Sequence, residues 1–262
     1  PPGGRTGRRS MPGTYRVVAA ILAPVVRGLV RRSYRGLEHV PPEGPALVCV
    51  NHIGAFDPLC FALALWDNDT PALFLGKAGI VRAPVVGPIL RSAGIVPVDR
   101  ETSRADEAFG AAVTLLRRGR VIGIYPEGSF TRDPDLWPMR GKTGAARLAL
   151  KTRAPVIPVA QWGPQEVIPE YAHVPKLFPR KTIHIRFGPP VELDDLYGPR
   201  PTMEAVMEAT DRIMGAITRE LEEIRGERAP AVRFDPKAHG MAVTGNFKQK
   251  EKRRSALRGG QR

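Results

Sequence analysis

Ala46-Leu47-Val48-Cys49-Val50, then Asn51-His52-Ile53-Gly54-Ala55-Phe56-Asp57, then Pro58-Leu59-Cys60-Phe61-Ala62-Leu63-Ala64-Leu65, reads as a buried strand, a polar turn and an apolar helix. Five consecutive apolar residues between turn signals suit a strand covered on both faces. Asp57 before Pro58 reads as a helix N-cap with proline in the first helical position. His52 and Asp57 would lie about 140° apart on a continuous helix, so they meet only if the chain turns first, and Gly54 permits that turn. Ligands of open α/β sheets gather outside the carboxyl ends of the strands, which is where His52 falls. Two readings are open here. Asp57 orients His52 as a general base, or His52 hydrogen-bonds the turn and Asp57 is only a cap.

Working outward, Val40-Pro41-Pro42-Glu43-Gly44-Pro45 is a turn cluster that delivers the chain into this strand. Pro71–Leu75, Gly94–Val98 and Val121–Tyr125 read as further short strands, and Thr182–Phe187 as a half-exposed one because it alternates. Pro155–Ala160 is also strand-like, with prolines that favour an edge or a bulge. Apolar residues recur at helical spacing in Ser103–Arg118, Lys142–Thr152 and Thr202–Ile224. Strand and helix alternate, which predicts an α/β fold with a mixed, largely parallel sheet flanked by helices.

The charge is unevenly distributed. The chain has 262 residues and a formal net charge of +14, yet residues 36–224 sum to −2. Residues 1–35 hold eight arginines and no acid, and residues 225–262 hold eleven basic residues against three acids. Three segments follow: a basic lead with an interfacial helical segment (1–35), a folded domain that carries the His52 turn (36–224), and a basic tail expected to be mobile (225–262). Val17–Val26 is uncharged over ten residues, too short for a bilayer-spanning helix, which needs about 20. It reads either as a membrane-associating segment with arginines snorkelling to phosphates or as an N-terminal helix packed on the domain. Cys49 and Cys60 have neither disulfide nor metal-ligand spacing and suggest buried thiols in a reducing compartment.

Four strands end in residues that a core does not explain: His52 with Asp57, Lys77, Arg100, and Glu127 with Gly128. Converging cations beside a His-Asp pair would make a phosphate site, with arginine as a bidentate fork and lysine as a point charge. Glu127 would either bind a substrate hydroxyl or hold those cations. A metal centre would need more ligands, and His39, His173, His184 and His239 supply no close-spaced set, so no metal is expected. The strand-turn-helix setting of Gly-x-Ser-x-Gly is also missing, because Gly128-Ser129 runs into Phe130 and Thr131.

In these residues the chain resembles the glycerolipid acyltransferases typified by 1-acyl-sn-glycerol-3-phosphate (lysophosphatidic acid) acyltransferase. Asn51-His52 through Asp57 is similar to that family's first motif, and Lys77 with Gly94–Arg100 to its second. Tyr125-Pro126-Glu127-Gly128-Ser129 is similar to the third and Val156-Ile157-Pro158-Val159 to the fourth. The third motif departs from the family pattern, which has an arginine where this chain has Phe130; Arg132, Arg140 and Lys142 are the available replacements.

The resemblance implies an O-acyltransferase that moves a fatty acyl group from acyl-CoA or acyl carrier protein to the sn-2 hydroxyl of a lysophospholipid acceptor. His52 and Asp57 would be catalytic, and Asn51, Lys77, Arg100, Glu127, Gly128 and Lys142 substrate-binding. Backbone amides near His52 would meet the oxyanion, and one of Leu59, Phe61, Phe74 or Trp137 would close the acyl tunnel. No cofactor beyond the thioester co-substrate is implied. The expected partner is an anionic membrane surface rather than nucleic acid, at the cytoplasmic face of the cell membrane. Two alternatives are another acceptor, such as glycerol 3-phosphate, and a non-enzymatic basic protein that binds membrane or nucleic acid.

Overall fold

The computed structural model describes residues 13–77, 95–98, 104–169 and 174–241. Its elements are α1 (Gly13–Leu29), β1 (Arg31–Arg35), β2 (Ala46–Val50), α2 (Asp57–Asp67), β3 (Ala72–Lys77), β4 (Ile95–Val98) and α3 (Arg104–Arg117), then β5 (Val121–Ile124), α4 (Gly144–Thr152), β6 (Val156–Trp162), α5 (Pro164–Val167), β7 (Thr182–Phe187) and α6 (Met203–Arg225). The strands form one sheet in the order β1-β7-β6-β2-β5-β3-β4. Every pairing is parallel except β6 with β7. The expected mixed, largely parallel sheet flanked by helices is the observed architecture.

The alternation of side chains along β2 divides the core. Ala46, Val48 and Val50 pack with α1, α2 and Phe187, whereas Leu47 and Cys49 pack with α3, α4 and α6. All five are fully buried, which is why the segment reads as a continuous apolar run. Helix α6 is capped by Thr202, whose hydroxyl oxygen accepts from the Ala205 amide, and it ends at Gly226 with φ +66°.

Three expectations change. β6 is an interior strand between β2 and β7 rather than an edge. It tolerates Pro158 because the Pro158 carbonyl accepts from Gly188, just past the last registered pair, Val159 with Phe187. The absent N–H therefore falls where the β7 ladder has already ended. The second change is β1: Arg31-Arg32-Ser33-Tyr34-Arg35 carries no apolar alternation, yet it pairs in parallel with β7 as an edge strand. The third concerns residues 226–241, expected in a mobile tail, which fold back on the domain. Phe234 O accepts from the Arg140 amide, Arg233 pairs with Asp211, and Arg225 lies between the Trp137 and Trp162 rings at 4.0 and 4.6 Å. The expected lead (1–10) and the remaining tail (242–262) lie outside the described residues.

α1 packs on α2 through Tyr15, Ala23 and Val26, while Val17, Ile21 and Val25 are exposed. No described helix is long and apolar enough to cross a membrane. Gly36, between β1 and the start of the next turn, has φ +71°, and a Cβ there would sit 1.9 Å from the Phe187 carbonyl oxygen. Gly36→Ala is therefore expected to destabilise the fold by about 3 kcal/mol, from left-handed strain plus the clash. Thermal or urea unfolding beside the parent chain measures it, and an unchanged midpoint would contradict this reading of the β1–β7 contact.

Candidate active site

Because β2 and β5 are parallel neighbours, with Cys49 opposite Ile124, the turns that follow them emerge side by side. They are tied together twice. The His52 amide donates to Glu127 Oε1 at 2.9 Å, and the Thr131 amide donates to the His52 carbonyl at 2.7 Å. The backbone of His52 is thus clamped before its side chain does any chemistry.

The His52 ring is fixed on three sides. Its Nδ1 lies 2.9 Å from Asp57 Oδ2, the Tyr125 ring stacks on it at 4.1 Å, and Phe130 meets it edge-on at 4.5 Å. A carboxylate oxygen only accepts, so Nδ1 carries the proton and Nε2 is left as the basic nitrogen. The imidazole keeps 17% of its side-chain surface exposed, whereas Asp57 is wholly buried. The turn required before the helix is present, for Asp57 Oδ2 also accepts from the Ile53 amide at 2.6 Å and the Gly54 amide at 2.9 Å.

Asp57 does not cap its own helix. It is the first residue of α2, its carboxylate reaches back to the preceding turn, and Phe56 holds the capping position. The same bonds narrow the oxyanion expectation. The amides of His52, Ile53 and Gly54 are already committed to Glu127 and Asp57.

Two expected substrate ligands are structural instead. Asn51 is 1% exposed and locked to β6: its Oδ1 accepts from the Gln161 amide, its Nδ2 donates to Gln161 O, and its carbonyl accepts from Gln161 Nε2. Its side chain extends the β2–β6 pairing past the last ladder position, so no polar atom is left for a ligand. Glu127 is fully buried and bridges the His52 amide to the Met139 amide, the latter at 2.9 Å from Oε2. It holds the two turns together rather than lining a glycerol pocket.

Gly128 has φ +71° and its amide donates to Tyr125 O, so it makes the sharp turn that returns Glu127 under His52. The Lys142 amide donates to Pro126 O, which brings Lys142 to the rim of this turn. Arg140 is directed away, paired with Asp235 at 2.8 Å, and Arg132 is buried at 4% exposure. Lys77 ends β3 opposite Val98 of β4, at the same sheet edge as His52. Its side chain and Arg100 lie outside the described residues. Of the four expected tunnel residues, Phe61, Phe74 and Trp137 are in the core, and Leu59 lines an apolar cleft between α1 and α2.

Tyr125, Phe130 and Gln161 complete the site without having been singled out as site residues. The faint signal for Gln161 is a polar residue inside an apolar strand; its partner is 110 positions away. Burial, with the Asp57 carboxylate adding to it, pushes the Tyr125 hydroxyl well above its ordinary range, so it stays protonated.

Burial also raises the Glu127 carboxyl from 4.5 to about 8, against the opposing pull of its hydrogen bonds to Met139, His52 and Thr131. The folded chain then keeps a proton that the unfolded chain has lost between those two values. The stability contributed by Glu127 is complete below about 4.5, declines as pH rises towards about 8, and is constant beyond. The slope from this group is at most about 1.4 kcal/mol per pH unit. Glu127→Gln should remove that slope while lowering stability by about 1–3 kcal/mol, since its NH₂ faces a backbone amide. Urea midpoints of both proteins across this pH range test it, and parallel profiles would refute it.

Residues 31–162 match the Acyltransferase family. The chain is 34% identical over 125 residues to the 1-acyl-sn-glycerol-3-phosphate acyltransferase of Borreliella burgdorferi, an alignment covering 47% of this chain and 48% of that protein. It is 29% identical over 140 residues to the chloroplastic 1-acyl-sn-glycerol-3-phosphate acyltransferase BAT2 of Brassica napus, covering 53% of this chain and 39% of that protein. The chain thus spans about half, or less, of the length of these relatives. The crystal structure of the 1-acyl-sn-glycerophosphate (LPA) acyltransferase PlsC from Thermotoga maritima superimposes with a TM-score of 0.57 at 21% identity, over 82% of this chain and 81% of that one, and so shares the fold. A match across half the chain that spans the clamped His-Asp turn settles the affiliation: this protein belongs to the Acyltransferase family.

Proposed function

We propose that the protein transfers a fatty acyl group from a thioester, acyl-CoA or acyl carrier protein, to the sn-2 hydroxyl of 1-acyl-sn-glycerol-3-phosphate, giving phosphatidic acid. The observation that carries this reading is the oriented imidazole, with Nδ1 held 2.9 Å from a buried carboxylate and Nε2 left basic. The relatives with printed activities point to the same reaction.

In the proposed step, Nε2 of His52 takes the proton of the acceptor hydroxyl as its oxygen bonds to the thioester carbonyl carbon. The carbon–sulfur bond then breaks, and the departing thiolate recovers the proton from the imidazolium. Asp57 stabilises that imidazolium. Tyr125 and Phe130 dry the ring, which strengthens both interactions. Lys77 and Arg100, with Lys142 beside the Tyr125 turn, would meet the acceptor phosphate. The basic segments and the outer face of α1 suit a peripheral position on an anionic membrane, the cytoplasmic face of the cell membrane in this proposal.

The test is free-thiol release from an acyl thioester by the purified chain. Release that requires lysophosphatidic acid supports the proposal, and release only with glycerol 3-phosphate reassigns the acceptor. No release with any lysolipid or with glycerol 3-phosphate overturns the enzymatic reading.

A further inference from the structure

The outer face of α1 is not the only exposed apolar surface among the described residues. Phe178 is 87% exposed and Val174 is 75% exposed, both in the loop 174–181. A lone exposed apolar residue is ordinary on a protein surface, so what singles out this loop is its attachment to α1. This loop is fastened to the C-terminal end of α1. Arg180 Nη2 donates to both Arg27 O and Val30 O at 2.9 Å, and the Arg31 amide donates to Lys181 O at 2.8 Å. Leu177, between Val174 and Phe178, packs on the core. The loop is held in place from inside while Phe178 faces out.

The charges within the loop and in the segment that ends α1 are all basic. Residues 174–181 contribute Lys176, Arg180 and Lys181 with no acid, and residues 27–35 contribute four arginines with no acid. Asp67 meets Arg27 and Arg32, which braces the end of α1 against α2 and still leaves a cationic surround. Along α1 itself, Val17, Ile21 and Val25 recur every fourth residue and are 60%, 62% and 53% exposed. Apolar groups flanked in sequence by lysine and arginine suit the boundary between anionic headgroups and acyl chains, where the side chains enter and the cations meet phosphate. A protein partner would need opposing acids and a shaped pocket for Phe178, and nucleic acid would leave the apolar groups uncovered.

We propose that the loop 174–181 is a second membrane-inserting element, coupled to α1 through Arg180, and that Phe178 enters an anionic phospholipid bilayer alongside the outer face of α1. This rests on the reading of α1 as membrane-facing and adds a distinct site of contact. It makes the lipid-bound surface two-pronged, which fixes the orientation of the domain on the bilayer as well as its attachment.

Cys49 and Cys60 are buried at 0% and 1% exposure, so a cysteine introduced on the surface is the group a thiol-reactive dye reaches. Phe178→Cys and, separately, Ile21→Cys are labelled with an environment-sensitive fluorophore. Each is mixed with vesicles of phosphatidylcholine alone or of equimolar phosphatidylcholine and phosphatidylglycerol. The expected result is a blue-shifted, brighter signal at both positions with the anionic vesicles only, quenched by lipids bearing a nitroxide on the acyl chain. Phe178→Ser should weaken binding to the anionic vesicles about tenfold. A response at 21 with none at 178 overturns the second prong and leaves the α1 reading standing. No response at either position overturns both, and an equal response with phosphatidylcholine alone overturns the anionic requirement.

Discussion

Replacing His52 by alanine is expected to lower the acyl-transfer rate by about 10²- to 10⁴-fold, the range for losing a positioned general base. The fold should survive. The backbone bonds that clamp this position, from the His52 amide to Glu127 and from the Thr131 amide to the His52 carbonyl, use no side-chain atom of His52. The lost imidazole leaves space beside Tyr125 and Phe130, a modest cavity next to solvent. Unfolding midpoints close to the parent, with thiol release reduced at saturating lysophosphatidic acid, would separate chemistry from stability. Undiminished release in His52→Ala would sink the mechanism.

The second large effect is at Asp57, where removal and neutralisation should diverge. Asp57 Oδ2 accepts from three donors, His52 Nδ1 and the amides of Ile53 and Gly54, in a fully buried position. Asp57→Ala strands all three and empties the space the carboxylate filled. The expected loss is about 4 kcal/mol or more, since each stranded buried donor costs about 1–3 kcal/mol. Asp57→Asn can keep its carbonyl oxygen at the Oδ2 position, because the reverse orientation would point an NH₂ at three donors. Its NH₂ then takes the Oδ1 position, which has no protein partner. The turn and the tautomer persist, and what disappears is the negative charge that stabilises the imidazolium. We expect Asp57→Asn to unfold near the parent while the rate falls about 10²-fold or more. If Asp57→Asn retained full activity, Asp57 would be a structural brace and not part of the catalytic pair.

These two outcomes bear on how much of the site is held by the chain around it. Glu127 and Asn51 look like ligand-binding groups in the sequence because both are polar and stand at strand ends. In the structure each is consumed by backbone groups of a neighbouring segment. The Asn51 partner lies 110 residues away and the His52 partner of Glu127 lies 75 away. The sheet order brings β2 between β5 and β6, and polar side chains at its end are the natural partners for amides left over where the ladders stop. A buried polar group that closes such a gap cannot also greet a substrate.

The sequence alone determined the alternation of strand and helix, the buried β2 strand and the turn at Gly54 across which His52 could reach Asp57. These features depend on neighbours a few residues apart, through side-chain period, turn residues and local reach. It could not announce β1, whose five polar-rich residues become a strand only because β7 presents an open edge. Nor could it show that Pro158 sits safely inside the sheet, that residues 226–241 return to the domain, or that Tyr125 and Phe130 enclose His52. Those were decided by tertiary structure. Each is a contact between segments far apart in the chain, whose strength comes from burial and hydrogen-bond completion rather than from any local pattern.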